Sequence, residues 1–142
     1  MLGGVAGYSG TPLSKKLGIK AGQRVLTKNA PEGYASWLGV LPPDVVLSSR
    51  LRPPIHIIHA FVVSEVELER LLGSKRDGLV GDGALWVSWP KRSSGVTTDV
   101  TEDVIRRRAL PLGLVDIKVC AVSDVWSGLK LVLRKELRRV DR

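Results

Sequence analysis

The apolar positions of this chain come in short blocks that alternate between strand-like and helix-like spacing. The densest is Ala84-Leu85-Trp86-Val87-Ser88-Trp89. It follows the turn Gly81-Asp82-Gly83 and shows no clean polar alternation, as expected of a strand covered on both faces. Pro90 removes an N–H donor and ends the ladder. On a strand Trp86 and Trp89 face opposite sides of the sheet, and both are expected to be core residues.

The remaining blocks take their places around this one. Thr11-Pro12 opens a short helix from Pro12 to Leu17, closed by Gly18. A strand follows at Arg24 to Lys28. The turn Asn29-Ala30-Pro31-Glu32 leads into a helix in which Tyr34, Trp37 and Leu38 share a face, with Asn29 as its cap and Gly39 as its end. Val45 to Leu47 and Ile55 to Val62 are two further strands, separated by the basic, proline-ended segment Ser48 to Pro54. Ser64-Glu65-Val66-Glu67 forms a capping box, with Val63 and Leu68 as its staple, for a helix running to about Leu72. Gly78 to Gly83 is expected as a turn into the central strand. Thr101-Glu102-Asp103 starts a fourth helix, with acids at the positive end of its dipole, and Pro111 and Gly113 stop it. Val115 to Val122 and Leu129 to Leu133 are the last strands. The short connection Ser123 to Gly128 makes them antiparallel. This order predicts a three-layer α/β sandwich, mostly parallel and Rossmann-like, with a C-terminal antiparallel hairpin.

Composition narrows the class. The length of 142 residues, 44% apolar and 25% charged, suits one soluble domain, here expected over 1–142 with a loose N-terminus at 1–10 that Tyr8 could pin and a basic tail at 134–142. A single cysteine allows no internal disulfide and fits a cytoplasmic setting. The N-terminus lacks the features of a signal peptide, and no apolar run is long enough to span a bilayer. A net charge of +8 favours anionic partners.

The order of elements resembles a shortened class I S-adenosylmethionine-dependent methyltransferase. The segments Tyr8-Ser9-Gly10-Thr11-Pro12-Leu13, Ala84-Leu85-Trp86-Val87-Ser88-Trp89-Pro90-Lys91 and Trp126-Ser127-Gly128-Leu129-Lys130-Leu131 resemble a family of short bacterial proteins classed as a domain of unknown function. The methyltransferase resemblance implies a glycine-rich turn after the first strand and an acid after the second, to hold the ribose. Here those places hold Thr27-Lys28-Asn29-Ala30-Pro31-Glu32-Gly33 and Ser48-Ser49-Arg50, so neither cofactor signature is present; no cofactor is expected, with S-adenosylmethionine left open.

Open α/β sheets bind ligands at the carboxyl ends of their strands. Lys28, Arg50, Arg52, Lys91 and Arg92 are all expected there, and with Ser93 and Ser94 they could hold a phosphate, a carboxylate or a nucleic-acid backbone. Trp126, in the hairpin connection, is the candidate for a ligand-facing ring or a lid over the core. His56 and His59 face opposite sides of their strand and cannot share a metal. Cys120 reads as an inert thiol, Asp99, Glu102 and Asp103 as caps, and Asp124 as a slim general-base candidate. The sequence therefore predicts a non-catalytic module that binds an anionic small molecule or nucleic acid. A divergent methyltransferase is the alternative, and a structural subunit, such as half of a homodimer, the third reading.

Overall fold

The computed structural model describes residues 10–75 and 78–138. The expected anchor Tyr8, most of the loose N-terminus and the last four residues of the basic tail lie outside them. The described chain runs α1 (Leu13–Leu17), β1 (Arg24–Lys28), α2 (Tyr34–Leu38), β2 (Val46–Ser48), β3 (Ile55–Phe61), α3 (Glu65–Lys75), β4 (Leu79–Pro90), α4 (Glu102–Ala109), β5 (Leu114–Ala121) and β6 (Trp126–Leu133). The six strands form one sheet in the order β2-β1-β3-β4-β6-β5. β2, β1, β3 and β4 are mutually parallel, and β6 runs antiparallel between β4 and β5.

Two cores flank this sheet. On one face Leu13 and Leu17 of α1 and Tyr34 and Leu38 of α2 bury Val25, Ile57, Phe61 and Trp86. On the other, Leu68 and Leu72 of α3 and Ile105 and Ala109 of α4 cover Leu26, Ile58, Leu85, Trp89 and Leu131. The tryptophans of β4 thus lie in opposite cores, as their spacing predicts.

Local chemistry sets the ends of the helices. At α3 the Ser64 hydroxyl accepts from the Glu67 N–H, while the Glu67 carboxylate accepts from the N–H groups of Val63 and Ser64. The capping box is complete, but Val62 rather than Val63 shares the core with Leu68, and Val63 stays exposed. The Asp99 carboxylate adds a further acceptor for the Glu65 N–H, 2.7 Å away. At α4 the Thr101 hydroxyl accepts from the Val104 N–H. Thr101→Ala should therefore cost about 1 kcal/mol, read as a lower denaturation midpoint with an unchanged slope.

Several boundaries differ from the sequence reading. α2 begins at Tyr34 with Gly33 as its cap, because Asn29 takes a left-handed conformation (φ 59°) and turns its amide away from the helix. β4 starts at Leu79, so the glycine-rich stretch belongs to the strand and is not a turn. A Cβ on Gly83 would lie 2.9 Å from the His56 carbonyl oxygen; glycine is what lets β4 close on β3. β6 reaches back to Trp126, so that ring starts a strand. Gly128 belongs there because a Cβ would meet Val122 at 3.0 Å and the Trp86 ring at 3.4 Å. No described helix is long and apolar enough to cross a membrane.

Candidate ligand site at the carboxyl edge of the sheet

The strand order reverses direction between β1 and β3, and a crevice at such a switch is where this architecture seats ligands. Across the carboxyl edge the chain presents Ser49 and Arg50 after β2, Lys28 and Asn29 at the end of β1, Phe61 at the end of β3, Lys91 to Ser94 after β4, and Trp126 at the start of antiparallel β6. Lys28, Arg50, Lys91, Arg92, Ser93, Ser94 and Trp126 are therefore on one edge, spread along it rather than gathered at a point. Lys28 and Lys91 end strands separated by β3, so at the usual strand spacing they begin about 10 Å apart.

Arg52 is not among them. The Arg24 guanidinium at the amino end of β1 donates to the carbonyls of Arg52 and Pro54, which fixes that segment at the opposite edge. The six residues from Ser49 to Pro54 already return the chain to the start of β3, because β2 is only three residues long.

The edge has a polar part and an aromatic part. The Lys28 ammonium donates to the Ser49 carbonyl at 3.2 Å, tying the ends of β1 and β2 together beside exposed Arg50. The Asn29 amide donates to the Phe61 carbonyl at 3.3 Å and bridges the switch itself. Lys91 and Arg92 lead a short 3₁₀ turn, in which the Ser94 hydroxyl donates to the Lys91 carbonyl at 2.6 Å and accepts from the Val96 N–H. Ser94 therefore shapes the loop, whereas Arg92 and Ser93 are exposed. Among the described residues neither the Lys91 ammonium nor the Arg92 guanidinium has a hydrogen-bond or ion-pair partner. The Lys91 N–H holds the Val125 carbonyl at 2.7 Å and joins this loop to the β5–β6 turn. Asp124 is exposed in that turn.

Trp126 is half-buried, its ring edge-on to Phe61 at 5.0 Å. Phe61 in turn meets Tyr34 and His59, and Tyr34 meets half-buried Trp37. Beneath these rings runs a buried polar chain absent from the sequence reading. The Tyr34 hydroxyl lies 2.8 Å from His59 Nδ1, and His59 Nε2 lies 2.7 Å from the Ser88 hydroxyl. Burial pushes the His59 pKa down to about 3 and the Tyr34 phenol up. The imidazole is thus neutral, one nitrogen donating and the other accepting. With His59 and Ser88 fully enclosed, this chain braces α2, β3 and β4 beneath the carboxyl edge. His56 lies on the other side of its strand and accepts from the Arg24 N–H, and no group of possible metal ligands exists among the described residues. Burial raises the Cys120 thiol pKa, in keeping with an inert thiol.

The chain matches no protein-family model and no curated protein sequence, so its resemblance to the short bacterial family has no support there. Solved structures do match its fold. A possible exported protein from Bordetella parapertussis is similar at TM-score 0.60 and 11% identity, over 84% of this chain and 65% of the other. A SAM-dependent methyltransferase from Aquifex aeolicus is similar at TM-score 0.57 and 15% identity, over 84% and 86%. Fibrillarin from Aeropyrum pernix, with natively bound S-adenosyl-L-methionine, is similar at TM-score 0.53 and 15% identity, over 80% and 67%. The fold is methyltransferase-like and Rossmann-like, with an antiparallel strand inserted near one end.

These neighbours correct one expectation. The missing signatures led to the reading that no cofactor is bound, yet the fold is shared with proteins that take S-adenosylmethionine, one of them natively loaded. The residues present fit such a ligand at one end. Lys28, at the end of β1, would be the cationic partner for the carboxylate of its methionine moiety, while the place of the ribose-binding acid holds Ser49 and Arg50. Bound there, the cofactor would supply an electrophilic methyl group; the chain's own residues would anchor its acidic end.

Proposed function

We propose that this domain is a methyltransferase-like binding module that holds a ligand bearing a carboxylate or phosphate on the carboxyl edge of its sheet. S-adenosylmethionine and S-adenosylhomocysteine belong to that class through their carboxylate. The observation that supports this reading is the pair Lys91 and Arg92, presented on the edge without a partner among the described residues. Cationic side chains held next to loop N–H groups recognise phosphate or carboxylate by charge-assisted hydrogen bonds. Trp126, set edge-on against Phe61 beside this loop, is placed to cover the apolar part of such a ligand.

Thermal unfolding with S-adenosylhomocysteine, inorganic phosphate or a nucleoside monophosphate tests this. A ligand at a hundred times its dissociation constant adds about 2.7 kcal/mol to the native state and raises the melting temperature. At least one of the three should do so for the natural chain, and the effect should vanish in the double variant Lys91→Glu/Arg92→Glu. No shift with any of them, or shifts that survive the double variant, would sink the proposal. Methyl transfer to an added acceptor is the second reading, which the fold shared with methyltransferases favours. Retention of S-adenosylhomocysteine at high salt would move the balance toward it.

A further inference from the structure

Among the described residues, ion pairs gather on one side of the sheet and lysines face the other. The ion pairs link Arg106, Arg107 and Arg108 of α4 to Glu65, Glu69, Glu102, Asp103 and Asp116, on the side of the sheet covered by α3 and α4. The opposite side carries lysines. Lys118 of β5 and Lys130 of β6 are direct cross-strand partners. Like charges directly opposite in an antiparallel pair destabilise the sheet, so the arrangement breaks a local rule. Lys130 is held over the Trp86 ring, 6.0 Å from its centroid. The Trp86 N–H donates to the carbonyl of Leu17, which sets the end of α1, and with it Lys20, beside this pair. Lys16 borders the group by donating to the Ala121 carbonyl at the end of β5.

Lys118 and Lys20 are close enough to act on Lys130. Lys130 loses basicity through burial first, then through the charges of Lys118 and Lys20. Lys16 and Lys118 both act on the Cys120 thiol. Among the described residues, the ammonium groups of Lys20, Lys118 and Lys130 have no carboxylate partner. They are displayed across a sheet face and do not converge on a pocket. That suits an extended polyanion with several spaced charges better than a single ion. Trp86 beneath them is wholly buried, so no ring is offered to a base and the contact is to backbone.

We propose that Lys20, Lys118 and Lys130, bordered by Lys16, form a docking face for the phosphodiester backbone of a single-stranded nucleic acid, separate from the carboxyl-edge site. Binding would be independent of sequence and governed by release of counterions.

Fluorescence anisotropy of a labelled 20-nucleotide oligouridine, titrated with the full chain at several salt concentrations, tests this. With three phosphates neutralised, log K should fall with log salt at a slope of about −2. Lys118→Glu should weaken binding about tenfold and flatten that slope by about one, while raising the melting temperature, because an opposite-charge pair replaces a like-charge one. The opposite signs separate loss of the face from loss of the fold. Lys20→Glu lies on an exposed turn outside the sheet and should also weaken binding, which keeps the test decisive if the strand variant misfolds. Arg70→Glu, which changes the net charge as Lys118→Glu does but lies exposed on α3 across the sheet, should leave most of the binding in place. Unchanged affinity in both lysine variants would overturn the proposal. So would full competition by inorganic phosphate at matched phosphate concentration, or binding to phosphatidylserine vesicles but not to the probe.

Discussion

Replacing Trp86 with alanine is expected to cost about 3–5 kcal/mol, the usual range for a large aromatic removed from a close-packed core. Trp86 is wholly enclosed at the centre of β4 and belongs to the core that α1 and α2 cover. Its neighbours leave little room for collapse. Gly128 has no side chain with which to fill the space, and β4 is locked between β3 and β6. The indole also donates to the Leu17 carbonyl at 3.2 Å, so its loss should loosen α1 beyond the global effect. Chemical denaturation gives the total, and amide exchange gives the local part. Residues 13–17 should exchange faster in Trp86→Ala than the loss of global stability alone requires. Trp86→Phe, which keeps a ring but not the N–H, should fall between the two.

The second large effect is an acid one. His59 is neutral in the fold, its pKa at about 3, against about 6.5 when the chain is unfolded. Between those values the unfolded state binds the extra proton, so stability falls as pH falls. The loss should begin near pH 6.5, approach about 1.4 kcal/mol per pH unit, and level off near the folded pKa. At pH 4.5 this one residue should account for a loss of roughly 2–3 kcal/mol. In His59→Gln the loss from this residue should disappear, leaving a shallower curve set by other groups. That variant should start lower at pH 7, since an amide must partner both Tyr34 and Ser88 in place of the ring. A natural chain whose stability is flat from pH 7 to pH 4.5 would refute the assignment.

Both predictions rest on features that differ in how far the sequence shows them. The opposite placement of Trp86 and Trp89 follows from the two-residue repeat of a strand. The capping box at Ser64 is equally legible, because its two hydrogen bonds lie within a few residues of each other. The bond from His59 to Ser88 joins residues 29 apart, and that from Tyr34 to His59 joins residues 25 apart. Neither has a local signature. Asn29 shows the same limit. Its type suits a helix cap, but a carbonyl on β3 captures its amide. Gly83 and Gly128 read as turns because glycine is common there, whereas the fold uses both to admit a neighbouring atom. At the edge, Lys28, Arg50, Lys91 and Arg92 follow from strand ends alone; Arg52 does not, because the bonds from Arg24 that hold its segment at the opposite edge join residues 28 and 30 apart. The lysine face was hidden for a further reason. Lys118 and Lys130 are opposed only once a bulge at Asp116 to Lys118 sets the register of β5.

The sorting of charge by face has a consequence for motion in solution. Paired charges on one side of the sheet and unpaired amines on the other make the potential over the described residues uneven. In the field of a polyanion the molecule experiences a torque before any contact is made, so encounters are oriented, lysine side first. Association should then be fast at low ionic strength and slow sharply as the screening length drops below about 10 Å. Dissociation, set by contacts already formed, should respond much less.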